Sequence, residues 1–328
     1  MPELPLFTVR DLKAPGQETG QAFAGFLIVR KLATKTASNG NSYLSVDLGD
    51  RTGSFTCTIF NDSPAFEPLK SGGEGAVLRV EGKVEFYQGR LAPRLSKATP
   101  LTEAQLAQPG VLANLVETAP EDAGSLEAEL AALIAGIARP ALRATVQAAL
   151  DELGGSFATA PAAVGMHHAY RHGLLEHTVR MGRAVRALAP LYPEVDADLA
   201  MAGVLLHDTG KALEFEGSLA PRKTRRGILQ GHVVLGYQLV RKAGLKAQLA
   251  PELLERLEHI ILSHQGKLEW GAAIMAATPE AVFVSMVDNL DAKMGMVQRA
   301  LRQAATGEEF SERLPGLEAP LLTRPLPR

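Results

Sequence analysis

The sequence predicts a multidomain α+β protein, an N-terminal β-barrel followed by an all-α domain. Three observations predict it. Residues 20–98 carry short alternating apolar stretches separated by turn residues. From Ala123 the apolar residues recur at helical spacing and keep that period to about residue 305. All eight histidines, at 167, 168, 172, 177, 207, 232, 259 and 264, fall within the helical part. Histidines scattered for packing alone would not leave the first half of the chain empty.

In the first part, Ala22 to Leu32 is an apolar-rich strand and Tyr43 to Leu48 alternates in the strand manner. Asp50-Arg51-Thr52-Gly53 supplies a turn into a third strand, Ser54 to Phe60, and Pro64 to Lys70 suits a short helix. Ala76 to Tyr87 and Arg90 to Ser96 then form a hairpin around Gln88-Gly89. Three strands, a helical connection and two more strands is the order of an OB-fold, assigned to residues 1–98. Such barrels bind single-stranded nucleic acid by stacking bases on exposed aromatics beside basic side chains. Phe86, Tyr87, Arg90 and Arg94, with Arg30, Lys31 and Lys35, are the candidates. The competing reading is that these aromatics fill the core and the barrel serves protein contacts.

Residues 99–122, with Pro100, Pro109 and Pro120, read as a linker. The helical domain is assigned to 123–305. Leu126, Leu130, Leu133 and Ile134 follow helical spacing, and Pro140 opens a second helix that ends near Gly154-Gly155. Breaks are expected at Pro190 to Pro193, from Glu216 to Gly227 and around Gln265-Gly266. The tail, 306–328, holds four prolines and no period.

Composition excludes several classes. An apolar content of 46% in 328 residues supports full cores, while no apolar run is long enough to span a bilayer. A net charge of −2 means that any polyanion site is a local patch. The single cysteine, Cys57, rules out an internal disulfide framework and reads as a buried, inert thiol. Met1-Pro2-Glu3-Leu4-Pro5 lacks the regions of a signal peptide, so a cytoplasmic protein is expected.

The chemistry concentrates around Val204-Leu205-Leu206-His207-Asp208-Thr209-Gly210-Lys211. Adjacent His and Asp at a helix end can offer an imidazole nitrogen and a carboxylate oxygen to one divalent cation. Further ligand types come from His177, from His232 after a basic loop, from His259 and His264 near a helix end, and from Asp288. On an otherwise apolar helix, Asp288 would be costly to bury without a partner such as a metal. Lys211 can face the same cavity and neutralise a phosphate oxygen, or else is a solvated helix-end lysine. Arg222, Lys223, Arg225 and Arg226 form a basic loop suited to backbone phosphates, with a solvated loop as the alternative. His167, His168 and Arg171 are candidates to line the cavity. His259, five residues before His264, reads as structural, and Asp291 either orients a ligand histidine or pairs with Lys293.

The order His…His-Asp…His…His…Asp on helices resembles the HD-domain metal-dependent phosphohydrolases. Within them, a barrel followed by His167-His168-Ala169-Tyr170-Arg171, Gly173-Leu174-Leu175-Glu176-His177-Thr178 and Leu205-Leu206-His207-Asp208-Thr209-Gly210-Lys211 resembles the YhaM-type 3′→5′ exoribonucleases. So do Gly231-His232, Ile261-Leu262-Ser263-His264 and Asp288-Asn289-Leu290-Asp291-Ala292-Lys293. The resemblance implies that His177, His207, Asp208 and Asp288 hold a first metal, and that His232 and His264 hold a second with Asp208 bridging. It implies Mn²⁺, two ions per site; histidine with carboxylate also suits Fe or Zn. Two ions roughly 3.5–4 Å apart can activate water and stabilise both oxygens at a reacting phosphorus. Two departures stand out: the family's His-His-Gly reads His264-Gln265-Gly266 here, and His172 stands where a glycine or small residue is expected.

The expected activity is metal-dependent hydrolysis at the 3′ end of single-stranded RNA, extending to single-stranded DNA, with release of nucleoside monophosphates and with Asp208 and Lys211 at the reacting centre. A phosphohydrolase of small or cyclic nucleotides would use the same metals. A non-catalytic single-stranded nucleic-acid-binding protein is the third reading, kept open by Gln265. No membrane partner is expected, and large apolar helical faces leave room for a homo-oligomer.

Overall fold

The computed structural model describes residues 4–324 except 39, 107, 109, 163–169, 218, 220, 304–308 and 315. The chain divides into two compact units, residues 1–118 with 217–221, and residues 119–216 with 222–328.

The first unit opens with a short helix, α1 (Val9–Lys13), capped by Thr8 in a reciprocal capping box with Asp11. Five strands then form one sheet in the order β3-β2-β1-β4-β7: β1 (Ala22–Thr36), β2 (Ser42–Asp50), β3 (Gly53–Phe60), β4 (Val77–Lys83) and β7 (Arg94–Pro100). All pairings are antiparallel. Strand β1 serves two partners, β4 along Ala22–Ile28 and β2 along Ile28–Thr36, with a register shift between Val29 and Lys31. A bulge there increases twist and lets one long strand bend around a small barrel. Alternation on β3, where Phe55, Cys57 and Ile59 are buried between exposed Thr56, Thr58 and Phe60, shows why the residues face as they do. Helix α2 (Phe66–Gly72) connects β3 to β4 and buries Phe66 and Leu69 in the same core. This is OB-fold topology.

Beyond β4 the chain makes a small ribbon, β5 (Phe86–Tyr87) paired with β6 (Arg90–Leu91). Its two-residue turn, Gln88-Gly89, has φ of 49° and 75°, the positive pair that matches strand twist in such hairpins. The stretch expected to be a linker holds structure. Helices α3 (Glu103–Leu106) and α4 (Val111–Leu115) belong to the first unit. Leu115 is fully buried beside Ile28 and Val77, and Arg51 donates its backbone N–H to the carbonyl of Asn114 at 3.1 Å. The prolines break the period, but burial of Leu115 binds the segment to the barrel.

The second unit is helical: α5 (Ala123–Ala135), α6 (Pro140–Leu153), α7 (Gly155–Thr159), α8 (Gly173–Leu188), α9 (Ala197–Leu206), α10 (Lys211–Glu214), α11 (Arg225–Lys246), α12 (Pro251–Ser263) and α13 (Pro279–Gln303). A two-stranded ribbon, β8 (Phe215–Glu216) with β9 (Arg222–Lys223), joins α10 to α11. Helix α9 is buried on every side from Leu199 to Leu206 and is the central element of the core. Asp196 caps its start by accepting from Leu199 N–H at 3.1 Å. The tail folds back on itself through isolated bridges, Phe310 with Leu322 and Leu314 with Ala319. Among the described residues no helix is long and apolar enough to cross a membrane.

Candidate metal centre

Helix α9 ends at His207, and the turn His207-Asp208-Thr209-Gly210 leads directly into α10. The Thr209 hydroxyl closes that turn by donating to Leu206 C=O at 2.7 Å. Gly210 is required by close approach: a Cβ there would collide with the backbone of His232 and of Gly236 on α11. Helix α11 is itself broken at Gly231 (φ 71°, ψ 163°), a left-handed residue that re-aims the chain at His232. Two glycines therefore bring the His207-Asp208 turn and His232 together.

Four imidazoles point one nitrogen inward because the other is tied to an oxygen. His207 Nδ1 donates to Val204 C=O at 2.8 Å and His264 Nδ1 to Ile261 C=O at 2.7 Å. His177 Nδ1 lies 2.7 Å from Asp291 Oδ2, and His232 Nδ1 lies 3.1 Å from Glu214 Oε2. A carbonyl can only accept, so the tautomers of His207 and His264 are set with Nε2 carrying its lone pair toward the centre, and the carboxylates aim Nε2 of His177 and His232 at the same point.

The donors converge in two groups, His177 with His207 and Asp288, and Asp208 with His232 and His264. In the first, His177 Nε2 stands 3.2 Å from both His207 Nε2 and Asp288 Oδ1. In the second, Asp208 Oδ1 stands 3.6 Å from His232 Nε2 and 3.5 Å from His264 Nε2. Asp208 touches both groups, since its Oδ2 lies 3.2 Å from His207 Nε2 and 3.7 Å from His177 Nε2. His177, His207, Asp208 and His264 are almost wholly buried.

Electrostatics are strained in a way that a cation relieves. Two imidazole nitrogens 3.2 Å apart cannot both present lone pairs without a proton or a metal between them. Burial opposes charge on His177, but the Asp288 and then the Asp291 carboxylate raise its pKa to about 10. Burial likewise opposes ionisation of Asp288, yet His177 holds it down at about 2. Asp208 is held well below the carboxylate range against its own burial, by Lys211 and then His207. Lys211 Nζ lies 2.5 Å from Asp208 Oδ2. Asp208 Oδ1, however, is buried without a hydrogen-bond partner, a costly position for a carboxylate oxygen. Nitrogen and oxygen donors with converging lone pairs and an orphaned anionic oxygen fit a divalent metal.

The HD domain family matches residues 174–293, and the OB-fold nucleic acid binding domain family matches residues 25–101. A curated relative, the 3′-5′ exoribonuclease YhaM of Shouchella clausii (strain KSM-K16), is 33% identical over 300 residues, covering 91% of this chain and 92% of its own. The chain belongs to the YhaM family of 3′-5′ exoribonucleases. No solved structure matches it.

The remaining candidates of this YhaM-family chain fall in different places. On the barrel, Phe86 and Tyr87 project from the β5–β6 ribbon at 44% and 69% exposure, with Arg90 exposed beside them. They are not core aromatics. Lys223 Nζ pairs with Glu214 Oε1 at 2.7 Å and Arg222 with Glu216 at 3.0 Å, whereas Arg225 and Arg226 are exposed at the start of α11. Arg171 donates from Nε to His172 Nε2 at 3.1 Å. His167 and His168 lie outside the described residues. His172 has φ of 65°, the left-handed conformation that favours glycine, and its Nδ1 is tied to Ala158 C=O at 2.7 Å. His259 stands apart from both groups and accepts from Ala277 N–H at 2.8 Å, a structural role. Sequence reasoning missed Glu214, the carboxylate that orients His232. Its signal was an acid three residues after Lys211 in an apolar context, where it is 4% exposed.

Proposed function

We propose that this chain is a divalent-metal-dependent 3′→5′ exoribonuclease that removes nucleoside monophosphates from single-stranded RNA, with single-stranded DNA as a second substrate class. The observation that carries the reading is Asp208, whose two oxygens face two separate groups of ligand side chains. His177, His207, Asp208 and Asp288 would hold one ion, and Asp208, His232 and His264 a second. Imidazole with carboxylate is a mixed set that first-row metals accept more readily than Mg²⁺, and Mn²⁺ is the one that the family resemblance implies. Such ions supply activated water and charge neutralisation for in-line displacement at phosphorus.

The protein's own contributions follow from its side chains. Asp291 and Glu214 hold His177 and His232 in one tautomer. Lys211, 11% exposed and bonded to Asp208, places a positive charge where phosphate oxygens gather. Arg225 and Arg226, with Lys223 and Arg222, contact the backbone phosphates, and Phe86, Tyr87 and Arg90 bind bases by stacking and charge. In the reaction water adds to phosphorus, the bond to the 3′ oxygen of the preceding nucleotide breaks, and that oxygen takes a proton. An apolar stripe on α13, exposed at Val282, Met286, Leu290 and Met294, supports a homo-oligomer.

The test is digestion of a 5′-labelled single-stranded RNA with Mn²⁺, beside the His207→Ala/Asp208→Ala double variant. A ladder shortening from the 3′ end in the wild type alone is expected. RNA left intact by metal-loaded protein would refute the proposal and turn attention to small or cyclic nucleotides.

A further inference from the structure

Gln265 follows His264 at the end of α12, and its amide lies against two of the histidines of the centre. Its Nε2 lies 3.1 Å from His232 Nε2 and 3.1 Å from His264 Nε2. Both imidazoles are anchored through Nδ1, to Glu214 and to Ile261 C=O, so both present lone pairs to Gln265. An amide NH₂ has two hydrogens and can satisfy both at once. The third donor of this group, Asp208 Oδ1, is left without a hydrogen-bond partner. The amide thus sits on the rim of a cluster of three converging electron-pair donors.

A cation among those donors would face the NH₂ end of Gln265, which repels it. Rotating the amide by half a turn exchanges Nε2 for Oε1 with little change of shape, and the carbonyl oxygen is a competent ligand for a divalent ion. The spacing allows it. Ligands about 2.1–2.2 Å from one ion lie about 3.0–3.6 Å from each other, the cis-octahedral and tetrahedral edges. The Gln265 distances of 3.1 Å and the Asp208 distances of 3.5 and 3.6 Å match that range.

Resting on the reading that this group holds the second ion, we propose that Gln265 is a fourth, reversible ligand of that ion. The amide nitrogen bridges His232 and His264 when no ion is held, and the amide oxygen binds the ion when one is. A neutral oxygen donor makes the position harder and weaker than a third imidazole would. The second ion is therefore the more readily lost of the two, and its preference for Zn²⁺ over Mn²⁺ is smaller than three imidazoles would give.

The experiment is stepwise Mn²⁺ binding to the full chain, by calorimetry for affinity and by electron paramagnetic resonance for the exchange-coupled pair. Wild type, Gln265→Leu, Gln265→Glu and His232→Ala are compared, the last to mark which step belongs to this group. Wild type is expected to bind two ions, the weaker step being the one that His232→Ala abolishes. Gln265→Leu weakens that step about tenfold or more and diminishes the coupled signal, with the first step unchanged within twofold. Gln265→Glu, which keeps an oxygen donor and adds charge, tightens it. A second ion bound as tightly or more tightly by Gln265→Leu would overturn the proposal, because glutamine would then be only a plug. A wild type that binds the first ion alone overturns it too, leaving the exoribonuclease reading to its own assay. A protein that takes up no ion overturns both.

Discussion

Asp291→Asn removes one negative charge 2.7 Å from His177 Nδ1 while preserving shape. Its consequence is a change in the number of protons released when metal binds. Burial opposes the imidazolium of His177, but Asp288 and Asp291 together bring its pKa to about 10. The folded value lies above the unfolded value of about 6.5. Stability from the protonated form is therefore fully present below about pH 6.5 and is lost as the pH rises through about 10. A metal at Nε2 must displace that proton. At pH 8, below that value, most of the chelator-treated protein carries it, so the His177 ion releases a proton and its affinity rises with pH. Asparagine withdraws one of the two supporting carboxylates and moves the pKa down, so fewer protons are released at pH 8. The variant also loses the charge that strengthens His177 as a ligand, an effect of about 10–100-fold in affinity, or about 1.4–2.7 kcal/mol. That loss shows most clearly near pH 10, where proton competition is weak. Calorimetry of Mn²⁺ binding in two buffers of different ionisation enthalpy counts the protons, and the difference between wild type and variant isolates the one on His177. Equal counts in the two proteins, or no proton released by wild type at pH 8, would refute the reasoning.

Other outcomes follow from single contacts. Gly210→Ala places a methyl against the backbone of His232 and Gly236, so it should lower the melting temperature and reduce bound metal per chain, measured by elemental analysis. Asp196→Ala removes both the α9 cap and the paired contact with Arg139 at 2.7 and 2.5 Å, and should cost about 1–2 kcal/mol in urea unfolding. Arg139 first, and the α9 cap with it, hold the Asp196 carboxyl below its usual range, so this stability is present above about pH 4 and fades as the pH falls further. Tyr87→Ala should weaken single-stranded RNA binding by about 1–3 kcal/mol at constant salt. Arg90→Ala should reduce the salt dependence of binding by about one counterion, both changes read by fluorescence anisotropy.

Much of this was legible in the chain because the relevant signals are local. The β2 and β3 alternation and the Gln88-Gly89 turn each depend on side chains within a few residues of one another, and the strands stand where the alternation put them. The 99–122 stretch was misleading for a physical reason. Its prolines truly break the helical period, but Leu115 is fully buried against Ile28 and Val77, and that burial comes from residues far away in sequence. Glu214 escaped notice for the same reason, since its partner, His232, lies beyond the intervening ribbon. Asp291 sits one helical turn after Asp288, and its tie to His177 is the orienting contact that spacing suggested.

By itself the sequence determined which donor types exist, in what order and on which helices, and it determined that their imidazoles cluster in one part of the chain. Tertiary structure alone decided how those donors partition. The split into two groups around Asp208, the anchoring of His177 by Asp291 and of His232 by Glu214, and the placing of the Gln265 amide across His232 and His264 depend on the folded chain, with a close approach at Gly210 and a left-handed break at Gly231. Identity and spacing are written along the chain, whereas the direction of a lone pair is set by whatever oxygen the other ring nitrogen meets after folding.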